Sequence, residues 1–124
     1  MKTEELMRFD WVCLENDPTP RQVDWIRSGE VGLFWNKTVT PPYLEPIPLT
    51  VEILEKNGFK KDEKDEKMYE WNWSVVYDCI SYDKETGIVR IFYVSGLAFM
   101  KILRYVHEFQ HALRLCEIEK EIVL

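Results

Sequence analysis

The chain has 124 residues, of which 46% are hydrophobic and 14% aromatic, and its formal net charge at pH 7 is −6. This length suits one domain, and the apolar content argues against an intrinsically disordered chain. The acidic balance argues against a nucleic-acid backbone as the main partner, because phosphate binding needs clustered Lys and Arg. No apolar run approaches the ~20 residues that span a bilayer.

The first forty residues have the pattern of short strands. Residues 11–14, 22–26 and 31–35 are rich in β-branched and aromatic side chains and are separated by turn formers, which predicts a small twisted sheet or partial barrel. Four of the eight residues 41–48 are proline. Proline at this density excludes a helix and a central strand, so we predict an extended connector, with a proline-rich ligand for an aromatic groove as the alternative.

A short helix is predicted directly after the connector. Thr50 is a good N-cap, Glu52 lies in the first turn where the helix dipole favours an anion, and Asn57-Gly58 supplies a left-handed stop. The following run KKDEKDEK, residues 60–67, mixes both charges without an apolar residue. We interpret it as a solvated loop, because its charges cancel locally.

The clearest strand pattern covers residues 69–80, where apolar and mostly polar side chains alternate. Residues 83–87 have the chemistry of a hairpin turn, and residues 88–94 form the returning strand. Residues 97–101 fit either a further strand or an early helical turn. The aromatic face of Tyr69, Trp71 and Trp73 is predicted to lie in the core, with a stacking platform for bases or sugars as the alternative.

The C-terminal segment combines a helical and a strand pattern. Apolar residues at spacings of three and four predict a long amphipathic helix ending near Cys116, packed on the sheet, and its stripe consists of Phe99, Ile102, Leu103, Val106, Phe109, Leu113 and Cys116. Residues 118–124 then alternate again, which predicts a terminal strand.

The sequence His107-Glu108-Phe109-Gln110-His111 spells H-E-x-x-H within that helix. On a helix this spacing places two imidazoles on one face, beside a glutamate that can act as general base on zinc-bound water. The motif therefore raises the hypothesis of a small zinc-dependent hydrolase with His107 and His111 as metal ligands and Glu108 as the catalytic residue.

Two observations favour a coincidental motif. Measured from Val106, His107 and His111 lie about 100° and 140° round the helix, off the apolar stripe and on the flank that also carries Arg104 and Arg114. Cations beside a dicationic metal are unfavourable, and nothing in the sequence marks the third protein ligand that such a site needs. We therefore predict no metal, no cofactor and no catalytic residue, and two partly buried histidines that hydrogen-bond locally.

The cysteines and the N-terminus bear on the compartment. Cys13, Cys79 and Cys116 are odd in number, far apart and without a C-x-x-C pair, so they indicate buried thiols in a reducing compartment. The opening sequence has acids where a secretory signal has its apolar core. A cytoplasmic location is the expectation.

Two segments carry a resemblance. The sequence IPLTVEILEKNGFKK at residues 47–61 and YVHEFQH at residues 105–111, with MRFDWV at residues 7–12, resemble small uncharacterised proteins of gut Bacteroides and their phages or mobile elements. That group shares an "IPLT…ILxKxGF" helix and a closing "YVHQLQ" helix, and this chain departs from it at Glu108, where the group carries Gln. The resemblance implies no activity, but it suggests an accessory protein of a mobile element that binds a host or phage protein.

Together these patterns predict a single α+β domain over residues 1–124. It consists of a short-strand region at residues 1–40, the proline-rich connector at 41–48, and a helix–hairpin–helix–strand region at 49–124. The function they favour is a non-enzymatic interaction protein, with a protein partner of unknown identity, no membrane association and no nucleic-acid binding.

Overall fold

The computed structural model describes residues 1, 3–34, 37–39, 44–72 and 78–124. The chain divides into two compact units: the first comprises Met1–Pro48 and Tyr105–His111, and the second comprises Leu49–Arg104 and Ala112–Leu124. Each unit contains one antiparallel sheet of five described strands. The prediction that the chain is one domain stays a prediction.

The fold is mostly β, so the predicted α+β class is wrong. The described residues form ten strands, a 3-10 turn at Thr3–Glu5 and two short α-helices, α1 (Val51–Lys56) and α2 (Val106–Leu115). The first six residues of α2 belong to the first unit and its last four to the second. Among the described residues, no helix is long and apolar enough to cross a membrane.

The sheet of the first unit has the strand order β4-β3-β2-β1-β5. Its strands are β1 (Trp11–Leu14), β2 (Asp17–Arg27), β3 (Glu30–Leu33), β4 (Lys37–Val39) and β5 (Leu44–Pro46). One buried cluster of this unit is aliphatic and contains Leu6, Val12, Val23, Val31, Leu33 and Leu44. A strand is therefore observed in each of the three predicted N-terminal regions, although β2 begins earlier, at Asp17, and Trp35 lies outside the described residues. Part of the predicted connector is the edge strand β5, where Pro46 is tolerated.

Gly32 has a packing role in this sheet. It lies opposite Trp25 in the β2–β3 pair, and a Cβ at this position would stand 2.0 Å from atoms of the Trp25 indole ring. The ring therefore packs directly on the Gly32 backbone, and it carries the Arg27 guanidinium 4.7 Å from its centroid on the ring face.

The sheet of the second unit has the order β10-β9-β8-β7-β6. Its strands are β6 (Lys60–Lys61), β7 (Met68–Asn72), β8 (Cys79–Asp83), β9 (Ile88–Tyr93) and β10 (Gly96–Ile102). The predicted β8–β9 hairpin is confirmed: Asp83 Oδ1 accepts the Glu85 and Thr86 N–H groups, and Gly87 adopts φ +78°. The predicted α1 is confirmed too, with Thr50 as N-cap.

The single strand predicted over residues 69–80 is wrong. β7 and β8 run antiparallel, with Asn72 opposite Cys79, so the two ends of the predicted strand lie on neighbouring strands. Trp73 and the rest of residues 73–77 lie outside the described residues. The charged run also differs from its prediction, because Lys60–Lys61 pairs with Glu70 and Tyr69 as β6.

The prediction of a long C-terminal helix is wrong as well. Phe99 and Ile102 belong to β10, and α2 has only ten residues, beginning at Val106. Positions 99, 102 and 103 fit a helical spacing by chance, while Gly96, at φ +126°, starts a strand that pairs with β9. Within α2 the stripe is confirmed, since Val106, Phe109 and Leu113 are buried, whereas Cys116 lies beyond the helix end and is half-buried.

The predicted terminal strand is also wrong, because residues 118–124 join neither sheet. They are held by a side chain instead: Asn57 Oδ1 accepts the Val123 N–H at 2.8 Å, and Asn57 Nδ2 donates to the Val123 carbonyl at 2.8 Å. Ile118 and Ile122 are nevertheless buried. The alternating pattern of the tail thus arises because one side of it is buried, although the tail does not pair as a strand.

Candidate functional site

The glutamate of the H-E-x-x-H motif is engaged with its own helix. Glu108 Oε1 accepts the Tyr105 N–H at 3.1 Å, as the third-position glutamate of a capping box does. A carboxylate directed at the helix start satisfies one of the backbone donors left unpaired there. The geometry therefore gives Glu108 a structural role and offers no support for it as a general base.

His111 contacts a residue that the sequence did not single out. His111 Nε2 lies 2.6 Å from Asp10 Oδ2, and the same oxygen accepts the Met7 N–H at 2.7 Å. Asp10 is 0% exposed, so its carboxylate is held by partners rather than by water. Asp10 and His111 are about a hundred positions apart in sequence, and the predicted local hydrogen bonding is wrong for His111.

His107 is buried inside the first unit, more deeply than the partly buried flank position that was predicted. Its ring stacks on Tyr105 with centroids 5.9 Å apart and meets the His111 ring edge-on at 5.6 Å. Its Nδ1 atom is buried without a hydrogen-bond partner among the described residues. Burial lowers the pKa of His107, and the negative charge of Asp10 only partly opposes this effect, so the imidazole favours its neutral form.

These positions change the electrostatic argument about a metal. Arg104 precedes α2, so it does not share a helix face with the histidines, and Asp10 supplies a negative charge that the sequence argument lacked. Within the described ranges, however, no group of three His, Cys, Asp or Glu side chains is arranged to hold a metal ion. The three motif residues thus lie near one another without forming a coordination sphere.

We expect the purified protein to carry far less than one zinc ion per chain. The physical reason is the arrangement just described, since a catalytic zinc site needs three protein ligands and a free general base. Elemental analysis after dialysis without chelator measures the content. A value near one that falls in the His107→Ala variant would contradict this prediction and restore the hydrolase hypothesis.

Gln110, which lies in α2, is a second residue that the sequence did not single out. It is buried, its Oε1 accepts the Trp11 N–H at 2.8 Å, and its Nε2 donates to the Phe9 carbonyl at 2.9 Å. The sequence gives one weak indication of this role, because Gln110 is a polar residue directly after the apolar stripe position Phe109. Gln110 and Asp10 together fix the turn that precedes β1.

That turn displays an aromatic side chain in a strained backbone. Phe9 adopts φ +72° and remains 46% exposed, which is unusual for a bulky residue. Its N–H donates to the Val23 carbonyl at 2.7 Å, and Gln22 Nε2 donates to its carbonyl at 3.1 Å. Strain of this kind persists where surrounding bonds over-determine it, and it clusters at functional positions.

A small pocket lies on the same unit. It encloses about 230 Å³ and is lined by Trp11, Thr19, Pro20, Arg21, Gln22 and Phe34. Phe34 stacks on Phe9 with ring centroids 5.9 Å apart. The Arg8 guanidinium lies 4.7 Å from the Phe9 centroid and 5.9 Å from that of Phe34. The displayed aromatic side chain is thus continuous with one wall of the pocket.

The described part of the aromatic strand face is not an open platform. Tyr69 is buried, and the Trp71 ring stacks on Phe59 at 6.4 Å with Lys120 Nζ 4.1 Å from its centroid. The prediction that Tyr69 lies in the core is confirmed, and Trp71 is half-buried. Trp73 lies outside the described residues.

The second unit presents an apolar edge strand. In β10, Leu97, Met100 and Ile102 are 52%, 57% and 49% exposed, and β9 is the one strand with which β10 pairs in the described sheet. Between Glu85 and Glu108 the sequence contains no Asp or Glu, although the chain holds 22 of them, and the three charged residues in this interval are Arg90, Lys101 and Arg104. The β9–β10 hairpin is therefore apolar and basic in an acidic protein.

Comparisons of the chain with protein-family models, with curated proteins and with solved structures found no match.

Proposed function

We propose that this protein is a non-enzymatic interaction module that binds an extended, acidic segment of a partner protein along the edge strand β10. The observation that carries the proposal is the row of exposed apolar side chains on β10, Leu97, Met100 and Ile102, within a hairpin that has no acidic residue. An added strand satisfies the backbone donors and acceptors of an edge and places alternate side chains against its apolar positions.

The edge is only lightly protected against such pairing. Natural edge strands are blunted by charges, proline or bulges. β10 has one charged residue, Lys101, and one irregularity, a register shift between Leu97 and Phe99. From Phe99 to Ile102 the pairing with β9 is regular, so four consecutive residues present a straight edge to an incoming strand.

The charge of the hairpin selects the partner's chemistry. Arg90 lies opposite Met100 in the β9–β10 register, and Lys101 is exposed. One acidic side chain contacts the hairpin turn from outside it: Asp78 Oδ1 accepts the Val94 N–H at 2.9 Å. A segment that alternates apolar residues with Asp or Glu would complement this surface. A second copy of the chain would place the same cations against it, and two chains of net charge −6 repel each other.

The expected affinity is moderate. Full burial of an aliphatic side chain contributes about 1.5–3 kcal/mol, so three half-exposed side chains supply roughly 1 kcal/mol each. Backbone hydrogen bonds and charge must provide the rest of the ~8 kcal/mol that a micromolar Kd requires. The interaction we propose is therefore weak and reversible, which suits an accessory protein better than a permanent complex.

Selection from a displayed library of random decapeptides tests the proposal. Enriched peptides should alternate apolar and acidic residues, and in hydrogen–deuterium exchange they should protect the amides of residues 96–102. Met100→Glu should weaken the best peptide at least tenfold. Leu115→Glu is the matched control, since Leu115 is 75% exposed in α2, and it should leave the affinity unchanged.

Several outcomes would overturn the proposal. These are no enrichment, peptides without an acidic bias, protection outside residues 96–102, or equal weakening by both variants. Concentration-dependent dimers lost in Met100→Glu would identify a second copy as the occupant instead. Binding to vesicles of anionic lipid that is lost in Lys101→Gln would point to a membrane surface.

The cellular setting belongs to the same proposal. The resemblance of residues 47–61 and 105–111 to proteins of gut Bacteroides and their phages supports an accessory role in a mobile element. Cys13, Cys79 and Cys116 are all unpaired, which supports the cytoplasmic location, because that compartment keeps thiols reduced.

A further inference from the structure

The pocket of the first unit has features of a binding site that the edge strand does not use. We propose that it binds a small monocyclic aromatic carboxylate, with the ring between Trp11 and Phe34 and the carboxylate on Arg21. The pocket lies on the first unit and β10 on the second, so this site stands or falls independently of the strand-addition proposal.

The size of the pocket fits one ring. Its volume is about 230 Å³, whereas an apolar cavity of about 150 Å³ already accommodates benzene. The additional space matches a carboxylate and its contacts, and it is too small for a drug-sized ligand, which occupies at least ~300 Å³. Trp11 and Phe34 supply aromatic faces against which a ring stacks at an offset or edge-on.

Arg21 supplies the charge. Its Nε atom is buried and has no hydrogen-bond partner within the described part of the chain. Its ion pair with Asp17 is long, 3.7 Å from Nη2 to Asp17 Oδ2. A guanidinium presents five N–H donors in a planar fork that fits a carboxylate with two parallel bonds, and a buried donor without a partner is unfavourable. A carboxylate in the pocket would pair with the Nη groups of this guanidinium, in competition with Asp17.

The surroundings favour an anion and hold the aromatic wall in place. The described residues that line the pocket include no acidic side chain. Arg8, whose guanidinium lies near the Phe34 ring, adds a second positive charge despite its own 3.1 Å contact with Asp24. Phe34 stacks on Phe9, whose backbone is fixed by hydrogen bonds from Gln22 and Gln110. A wall fixed before binding costs little conformational entropy when the ligand enters.

Titration of the full chain with benzoate, followed by proton–nitrogen NMR, tests the site. Benzoate should shift the Arg21 Nε–H and Trp11 indole N–H signals saturably, and benzamide and acetate should each bind at least tenfold more weakly. Arg21→Gln should weaken benzoate at least tenfold. Arg27→Gln is the matched control, because Arg27 is exposed and lies over Trp25 outside the pocket.

Each contrary result overturns the proposal. No saturable shift up to about 20 mM benzoate, equal affinity for benzoate and benzamide, or equal loss in the two arginine variants would do so. Tighter binding of the tripeptide Gly-Gly-Phe than of benzoate would identify a peptide C-terminus as the occupant instead. The dispersion of the amide signals shows whether each variant is folded, and Arg21→Lys replaces Arg21→Gln if the latter unfolds.

Discussion

Phe109→Ala is expected to lower the free energy of unfolding by about 3–5 kcal/mol. Phe109 is almost completely buried in α2, and truncating a buried aromatic side chain removes its transfer free energy and leaves a cavity. Because small domains have a total stability of about 5–15 kcal/mol, such a loss is a large fraction of it. Urea unfolding followed by far-ultraviolet circular dichroism measures the change.

The matched control is the preceding residue. Glu108→Gln should change stability by only about 0.5 kcal/mol, because Glu108 is partly exposed and glutamine keeps an oxygen that can accept the Tyr105 N–H. Equal losses in the two variants would contradict the orientation of α2 and, with it, the positions assigned to His107 and His111.

Removing residues 119–124 is expected to lower the free energy of unfolding by about 2.5–6 kcal/mol. Loss of the buried Ile122 accounts for about 1.5–3 kcal/mol. The Asn57 side chain, which is buried and bonds both backbone groups of Val123, loses those partners, and unsatisfied buried polar groups cost roughly 1–3 kcal/mol. Thermal and urea melts of the truncated and full chains measure the difference.

Two point variants separate the contributions to tail docking. Asn57→Ala should reproduce only the hydrogen-bond part of the loss, about 1–3 kcal/mol. Val123→Ala should have little effect, because its side chain is largely exposed and its backbone bonds to Asn57 remain. Truncated and full chains that melt alike would show that the tail contributes nothing, despite the burial of Ile122.

The sequence was most informative where the stabilising contacts are local. Thr50 caps α1 through an N–H three residues away, and Asp83 organises its hairpin within three residues. The relevant atoms lie within one turn of chain, so the residue types alone predict the geometry. The same holds for the buried face of α2, where helical spacing predicts that Phe109 and Leu113 are buried, as both are.

Prediction failed where one pattern fits two structures. Alternation over residues 69–80 does not reveal that β7 and β8 are antiparallel neighbours, because both strands have period two. The apolar spacing at residues 99–103 matches a helix although β10 is a strand. In the tail, alternation reflects burial, while the partner of its backbone is the side chain of Asn57, 66 positions away.

The candidate sites depend even more on distant contacts. Asp10 and Gln110 have roles defined by partners about a hundred residues away, His111 for the first and Phe9 and Trp11 for the second. The pocket combines residues from β1 and β2 with Phe34. Of these features, only the H-E-x-x-H motif could be recognised from neighbouring residues in the sequence. Its geometry in the structure does not support the zinc chemistry that the motif suggested.

The discontinuous make-up of the first unit constrains how the chain acquires its structure during synthesis. The strand region Met1–Pro48 is translated first, but Tyr105–His111 belongs to the same unit and is made only after residues 49–104. Until then the Trp11 N–H lacks Gln110 and the Asp10 carboxylate lacks His111. A ribosome that pauses within residues 49–104 would therefore carry an incomplete first unit, a substrate for chaperones and proteases.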